Sequence, residues 1–254
     1  DKYHKRTMRQ ILISGANSQV GSYLAKEYYK EGFQLVLLYH NRNERIAEQL
    51  GKAGIFSCSV DLCDATAVQD AISESEKQLK QNSDILIHCA AVRSSDALPL
   101  YQTEPFQFTY VLRSNIIAAY NVLRYALPPM QEKRFGRVIM FGSDVSRKGL
   151  KNGSAYAASK AAIANMVKSV ALELAKDNIL INTVSPAPIK TVLEEDYSGE
   201  YLQFRQRYFA NYLTKVPTGK LVTKEEIKKV IDLLISEDLQ NLNGEEIFID
   251  GGSK

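Results

Sequence analysis

Gln10-Ile-Leu-Ile-Ser-Gly-Ala-Asn-Ser-Gln-Val-Gly21 is the stretch that decides the fold. Ile11 to Ser14 is a short apolar run closed by a turn, the pattern of a strand buried on both faces. Gly15 to Gly21 follows, and Ser22 to Glu31 has helical character until Gly32 stops it. Glycines in such a turn let the backbone approach a pyrophosphate, while the new helix aims its free N–H groups at the charge. Strand, glycine turn and helix in that order predict one unit of a parallel sheet with a phosphate site at its head.

Working outward, the same alternation repeats. Gln34 to Tyr39 reads as a second strand, Asn43 to Lys52 as a helix, and Ile55 to Val60 as a third strand. Asp64 and Thr66 offer capping oxygens for a helix reaching roughly Lys80, and Asp84 to Ala91 is a fourth strand and its exit. A long helical pattern starts at Thr103, with Pro105 in its first turn and an expected interruption near Pro128-Pro129. Arg137 to Phe141 is a fifth strand, Ile179 to Ser185 a sixth, and Thr223 with Glu226 forms a capping box for the last helix. The prediction is an α/β, doubly wound parallel sheet in a single domain over residues 10–254, free of repeats and low-complexity segments. His88 is expected to be a hydrogen-bonded core residue.

Apolar residues make up 45% and charged residues 24%, enough for a sizeable core under an ordinary solvated surface. A net charge of +3, with acids and bases interspersed, points to neither nucleic acid nor a membrane as partner. No apolar run approaches the roughly 20 residues that span a bilayer, and no signal pattern precedes Gln10. Cys58, Cys63 and Cys89 are odd in number and lack metal-ligand spacing, so no metal site is expected and a reducing cytoplasm is the expected location. Met8 is a natural start, so residues 1–9 are expected to be an N-terminal tail or tag remnant.

The chemistry is expected between Gly142 and Lys160. Tyr156 and Lys160 lie four apart in an Ala-rich segment, one above the other on one helix face. A phenol in water titrates near ~10. A neighbouring ammonium favours the phenolate and brings the group toward the range where it both gives and takes a proton. Ser143 closes the fifth strand at the edge where open parallel sheets bind ligands.

A strand-ending Ser, then Tyr-x-x-x-Lys, in a chain that opens with a glycine-bearing strand-to-helix turn, resembles the short-chain dehydrogenase/reductase family. The likeness runs from about Gln10 to Gly252 and implies a Rossmann fold binding NAD or NADP. Against the family's Thr-Gly-x-x-x-Gly-x-Gly, Ser14, Gly15 and Gly21 match, and Gln19 replaces the middle glycine. The phosphate turn is therefore expected to be Gly15, Asn17, Ser18, Gln19, Val20 and Gly21. The place of the ribose-binding acid of NAD-specific relatives falls on Tyr39, followed by His40, Asn41 and Arg42. With no carboxylate there, and Arg42 able to pair with a 2′-phosphate, NADP is favoured over NAD.

The resemblance carries further expectations. Asp61 and Leu62 match an acidic-apolar pair beside the adenine, and Cys89, Ala90 and Ala91 run past the cofactor ribose where the family has Asn-Ala-Gly. Asn115 matches a helical Asn that kinks its helix and holds a water linking the Lys to solvent. Pro186-Ala187 replaces Pro-Gly, while Ile189 and Thr191 lie beside the nicotinamide. Residues 190–215 correspond to the substrate lid. Its aromatics, Tyr197, Tyr201, Phe204, Tyr208, Phe209 and Tyr212, either line an apolar pocket or pack the lid on its own body. Relatives pack two helices against a twin subunit, which implies a homodimer or homotetramer.

The expected activity is NADP(H)-dependent reduction of a small-molecule carbonyl, a 3-ketoacyl thioester being one candidate. Ser143, Tyr156, Lys160 and Asn115 are the expected catalytic residues, with Tyr156 as proton donor. Lys160 is also expected to hold the ribose hydroxyls. NAD-dependent alcohol oxidation and a non-catalytic nucleotide-binding protein are the alternatives, and epimerases and dehydratases reuse the same Tyr and Lys.

Overall fold

Strands that are apolar on both sides need a layer of helices over each face, and the chain supplies them from its strand-to-strand crossovers. The computed structural model describes residues 9–40, 50–51, 53–93 and 97–253. Its strands are β1 (Gln10–Ser14), β2 (Gln34–Tyr39), β3 (Ile55–Ser59), β4 (Ile85–His88), β5 (Gly136–Phe141), β6 (Ile179–Pro186) and β7 (Glu246–Ile249). They form one seven-stranded sheet in the order β3-β2-β1-β4-β5-β6-β7. Every pairing is parallel. The chain winds outward from β1 to β3, then crosses back to lay β4 on the other side of β1. Between β1 and β4 the winding reverses, and their carboxyl ends open a crevice there.

The period-2 alternation of each strand sorts the core into two layers. Ile11, Ile13, Leu35, Leu37, Ile85 and Ile87 face Leu24 and Tyr28 of α1 (Gln19–Lys30) and Ile227 and Ile231 of α8 (Lys224–Leu234). Leu12, Val36, Leu38, Leu86, Val138 and Met140 face the opposite layer. That layer is built by α2 (Ala65–Leu79), α3 (Pro105–Lys133) and α5 (Ser154–Leu174), through Val68, Val122, Ile163 and Val167. Each such aliphatic side chain, fully buried, contributes roughly 1.5–3 kcal/mol. Two four-residue helices, α4 (Val145–Lys148) and α6 (Leu193–Asp196), and the longer α7 (Gly199–Lys215) complete the set.

Of the expected caps, Asp64 and Thr223 take the N-cap positions, while Thr66 lies within the first turn of α2. Asp64 accepts from Ala67 N at 3.0 Å, and Thr223 and Glu226 form the reciprocal box. The expected break near Pro128-Pro129 does not occur, because α3 runs on to Lys133. The two prolines remove N–H groups that would have served the carbonyls of Arg124 and Tyr125, which lie toward solvent, while fully buried Met130 holds the last turn on the core. The helix expected over Asn43 to Lys52 falls largely outside the described residues, as do Asn41 and Arg42. Among the described residues, no helix is long and apolar enough to cross a membrane.

Candidate active site

Two adjoining hollows lie over the carboxyl ends of the strands. The first, about 760 Å³, is lined by Gly15, Asn17, Ser18, Gln19, Tyr39, His40, Asp61, Leu62, Cys89, Ala90 and Ala91. The second, about 480 Å³, is lined by Ser143, Tyr156, Lys160, Pro186, Ile189 and Thr191, together with α7 residues. Ser18, Gln19, Cys89, Ala91 and Asp196 border both, so one elongated ligand can occupy the pair.

The turn after β1 shapes the first hollow. Gly15 sits at φ +76, where a Cβ would lie 2.5 Å from Ala90 N, so only glycine lets this turn press against the exit of β4. Ser18 caps α1 by accepting from Gly21 N at 3.0 Å, which leaves the N–H groups of Gln19 and Val20 without an intrahelical acceptor; Gln19 borders both hollows and Val20 lines the second. This set fits a dinucleotide: helix N–H groups for a pyrophosphate, Asp61 and Leu62 at the far wall, and no carboxylate at Tyr39 or His40. Gln19 takes on a task a glycine cannot perform. Its amide donates to Val192 O and to Asp196 Oδ2 at 2.8 Å each and accepts from Val192 N at 2.9 Å, tying the turn to α6.

In the second hollow, the fifth strand and α5 bring the expected residues together. Lys160 is 1% exposed and donates to Phe141 O at 2.8 Å, with its nitrogen 5.8 Å from the centroid of the Tyr156 ring. Ser143, at the end of β5, has its hydroxyl 3.3 Å from Asp144 Oδ1. Asn115 is buried in α3, which passes through it without a helix break. Its amide accepts from Val92 N at 2.7 Å and donates to Val92 O and Ser159 Oγ at 2.9 Å each. The side chain thus fastens the segment after β4 to α3 and α5. His88 is fully buried with Nδ1 2.7 Å from Ser14 Oγ, and burial, with Lys160 nearby, pushes its pKa down to about 3. Burial likewise pushes the Cys89 thiol up to about 12.

Two arginines went unnoticed in the sequence. The Arg93 guanidinium lies 5.3 Å from the centroid of the Tyr156 ring and donates to Tyr197 Oη at 2.5 Å. Arg205, 5% exposed, packs 5.5 Å from the Tyr197 ring centroid, 5.2 Å from that of Tyr208 and 5.1 Å from that of Phe209. Burial by itself pushes the Tyr156 phenol up. The charges of Arg93, Lys160 and Arg205, in that order, outweigh it and hold the phenol below its ordinary value. Burial pushes Lys160 down, opposed by the facing phenol. A signal for Arg205 does exist in the sequence: it interrupts a helical stripe of Tyr201, Tyr208 and Phe209, where an apolar residue is expected. Arg93 carries no such mark.

A phenol held acidic beside a strand-end hydroxyl, next to a hollow that fits a dinucleotide, can move a proton to or from a ligand oxygen. Residues 15–254 match the family described as enoyl-(acyl carrier protein) reductase. The 3-oxoacyl-[acyl-carrier-protein] reductase MabA of Mycobacterium tuberculosis is 30% identical over 96% of this chain and 92% of its own. The reductase FabG of Buchnera aphidicola is 28% identical over 95% of each chain. The crystal structure of levodione reductase superposes with a TM-score of 0.85 and 23% identity over 96% of both chains, a likeness of fold. With the match running through nearly the whole sequence, this chain belongs to the short-chain dehydrogenase/reductase family of nicotinamide-dependent oxidoreductases.

Proposed function

We propose that this protein reduces a ketone to an alcohol using NADPH, with Tyr156 as the proton donor. The observation that carries the reading is the buried Tyr156 phenol, held below its ordinary value by three surrounding cations, Arg93, Lys160 and Arg205. The dinucleotide, when bound, supplies the hydride to the carbonyl carbon. Tyr156 gives its proton to the carbonyl oxygen, and the Ser143 hydroxyl donates a hydrogen bond to that oxygen as charge grows on it. Lys160 stabilises the phenolate left behind and is the residue placed to meet ribose hydroxyls. Asn115 holds the Val92 backbone beside this centre, and since its amide is committed there, a water relay from Lys160 would use the backbone of that residue. Thr191, Ile189 and Pro186 take the nicotinamide end and the turn from Gly15 to Gly21 the pyrophosphate. NADP is favoured because Tyr39 and His40 bring no carboxylate to the 2′ position and the sequence continues with Asn41 and Arg42.

The 3-oxo substrates named for MabA and FabG make 3-oxo compounds the first set to try. The segment from Val192 to Lys215 acts as the lid, since it contributes Tyr197, Tyr201, Arg205 and Tyr208 to the roof. Leu172 on α5 is 85% exposed and Tyr120 on α3 44%, which favours a homodimer or homotetramer built on those helices. The test is a panel of ketones followed by NADPH absorbance, with dissociation constants for NADPH and NADH alongside. Tyr156→Phe should bind NADPH normally and lose about 100- to 10,000-fold in turnover. Full turnover by that variant would remove the proposed acid, and tighter binding of NADH would overturn the cofactor choice.

A further inference from the structure

The roof of the second hollow is more cationic than carbonyl reduction by itself requires. Arg93, Lys160 and Arg205 all line it, against two carboxylates that are both engaged. Asp144 is ion-paired with Lys148 at 2.5 Å, and Asp196 accepts from Gln19 at 2.8 Å. Lys160 has its own assignment beside the phenol. The two arginines also act on that phenol, but neither is bound to a carboxylate among the described residues.

Arg205 is 5% exposed, its guanidinium lies among aromatic rings, and its Nε is buried with no hydrogen-bond partner. Among the described residues, the Arg93 guanidinium reaches the phenols of Tyr197 and Tyr156. Both guanidinium carbons lie near the same Tyr197 ring, at 5.9 Å and 5.5 Å from its centroid. Among the described residues, neither arginine has an ion-pair partner. Burying a guanidinium costs several kcal/mol unless a counter-charge and hydrogen bonds offset it. Two such groups converging on one hollow, with donors to spare, match the planar two-oxygen geometry of a carboxylate.

We propose that Arg93 and Arg205 bind a carboxylate on the substrate, placed one or two carbons from the carbonyl that Tyr156 protonates. This rests on the reductase reading and names its substrate class, small 2-oxo or 3-oxo acids. The spacing follows from the contact between Arg93 and Tyr156: an anion on that guanidinium lies beside the reacting oxygen. A carrier-bound thioester presents no negative charge there, because its phosphate sits at the far end of a long flexible arm. Tyr201, Tyr208 and Phe209 then face whatever apolar part the acid carries.

The discriminating experiment compares 2-oxobutanoate and 3-oxobutanoate with their methyl esters, using the full chain with NADPH. In parallel, calorimetry with malonate and NADPH reads anion binding without turnover. The acids should be preferred, and Arg205→Met should lower kcat/KM about 30-fold more for the acid than for the ester and weaken malonate binding about 30-fold. Arg205→Lys, which keeps the charge but not the fork, should recover part of both. An unchanged NADPH dissociation constant in each variant reports that the fold is intact. Equal rates for acid and ester, with Tyr156→Phe inactive, would overturn the carboxylate assignment and leave the reductase reading standing. Malonate binding that depends on Arg205, with no ketone reduced, would support the anion site and sink the reductase reading.

Discussion

Arg137 and Arg205 are both buried arginines, and they lie at opposite ends of the sheet. At the amino end of β5, Arg137 is 1% exposed and every arm of its guanidinium is used. Nε donates to Ser236 O at 3.2 Å, one terminal nitrogen to Gly136 O and Asn178 O at 2.8 and 3.0 Å, and the other to Leu239 O at 3.1 Å. Over the carboxyl ends, Arg205 stacks on rings and keeps donors in reserve. The difference separates polar groups that hold the fold from polar groups held by it. The first are satisfied by backbone carbonyls, the second wait on a ligand.

The largest effect should come from the arginine that looks least functional. Arg137→Leu strips donors from the carbonyls of Gly136, Asn178, Ser236 and Leu239 and should cost about 3 kcal/mol in denaturant unfolding. Arg205→Leu should leave stability within about 1 kcal/mol of the parent or raise it, because the fold gains little from that charge. If the two variants lose equal stability, the distinction between the ends of the sheet fails.

His88 gives a second, smaller measure. Its pKa is about 3 in the folded chain against 6.5 for the free side chain, so between those values the unfolded chain binds the extra proton. Stability is therefore full above pH 6.5 and declines as pH falls toward 3. At pH 5 this amounts to about 2 kcal/mol. His88→Asn should flatten that part of the profile relative to the parent, and unchanged curvature would count against a neutral buried imidazole.

The subtlest expected change is in the pH dependence of reduction. Tyr156 must carry a proton to donate one, so the rate should fall as pH rises through its lowered pKa. Arg93→Met removes the first of the charges that hold the pKa down, and the falling limb should move to higher pH. A limb that stays in place would reassign the role of Arg93 to structure.

Much of this was legible in the chain. β2 falls where the apolar run of Gln34 to Tyr39 places it, and Asp64 and Thr223 cap their helices because capping depends on residues three or four apart. Ser143, Tyr156 and Lys160 were marked by their spacing together with the family resemblance, and they line one hollow. Pro128-Pro129 misled, since the rule for isolated helices ignores a buried Met130 that anchors the following turn. Gln19 was read as a missing glycine. Its hydrogen bonds to Val192 and Asp196 span 173 and 177 residues, which no local pattern encodes.

By itself the sequence determined the order of strands and helices, the glycine turn and the pairing of a phenol with an ammonium. Each of these depends on neighbours within a few residues, where backbone geometry dictates which side chains share a face. Only the tertiary structure decided that Arg93 and Tyr197, 104 residues apart, meet over Tyr156, and that Arg205 closes the same roof. Parallel crossovers carry distant segments to one edge of the sheet. The charges that gather there are set by topology, and local spacing does not record them.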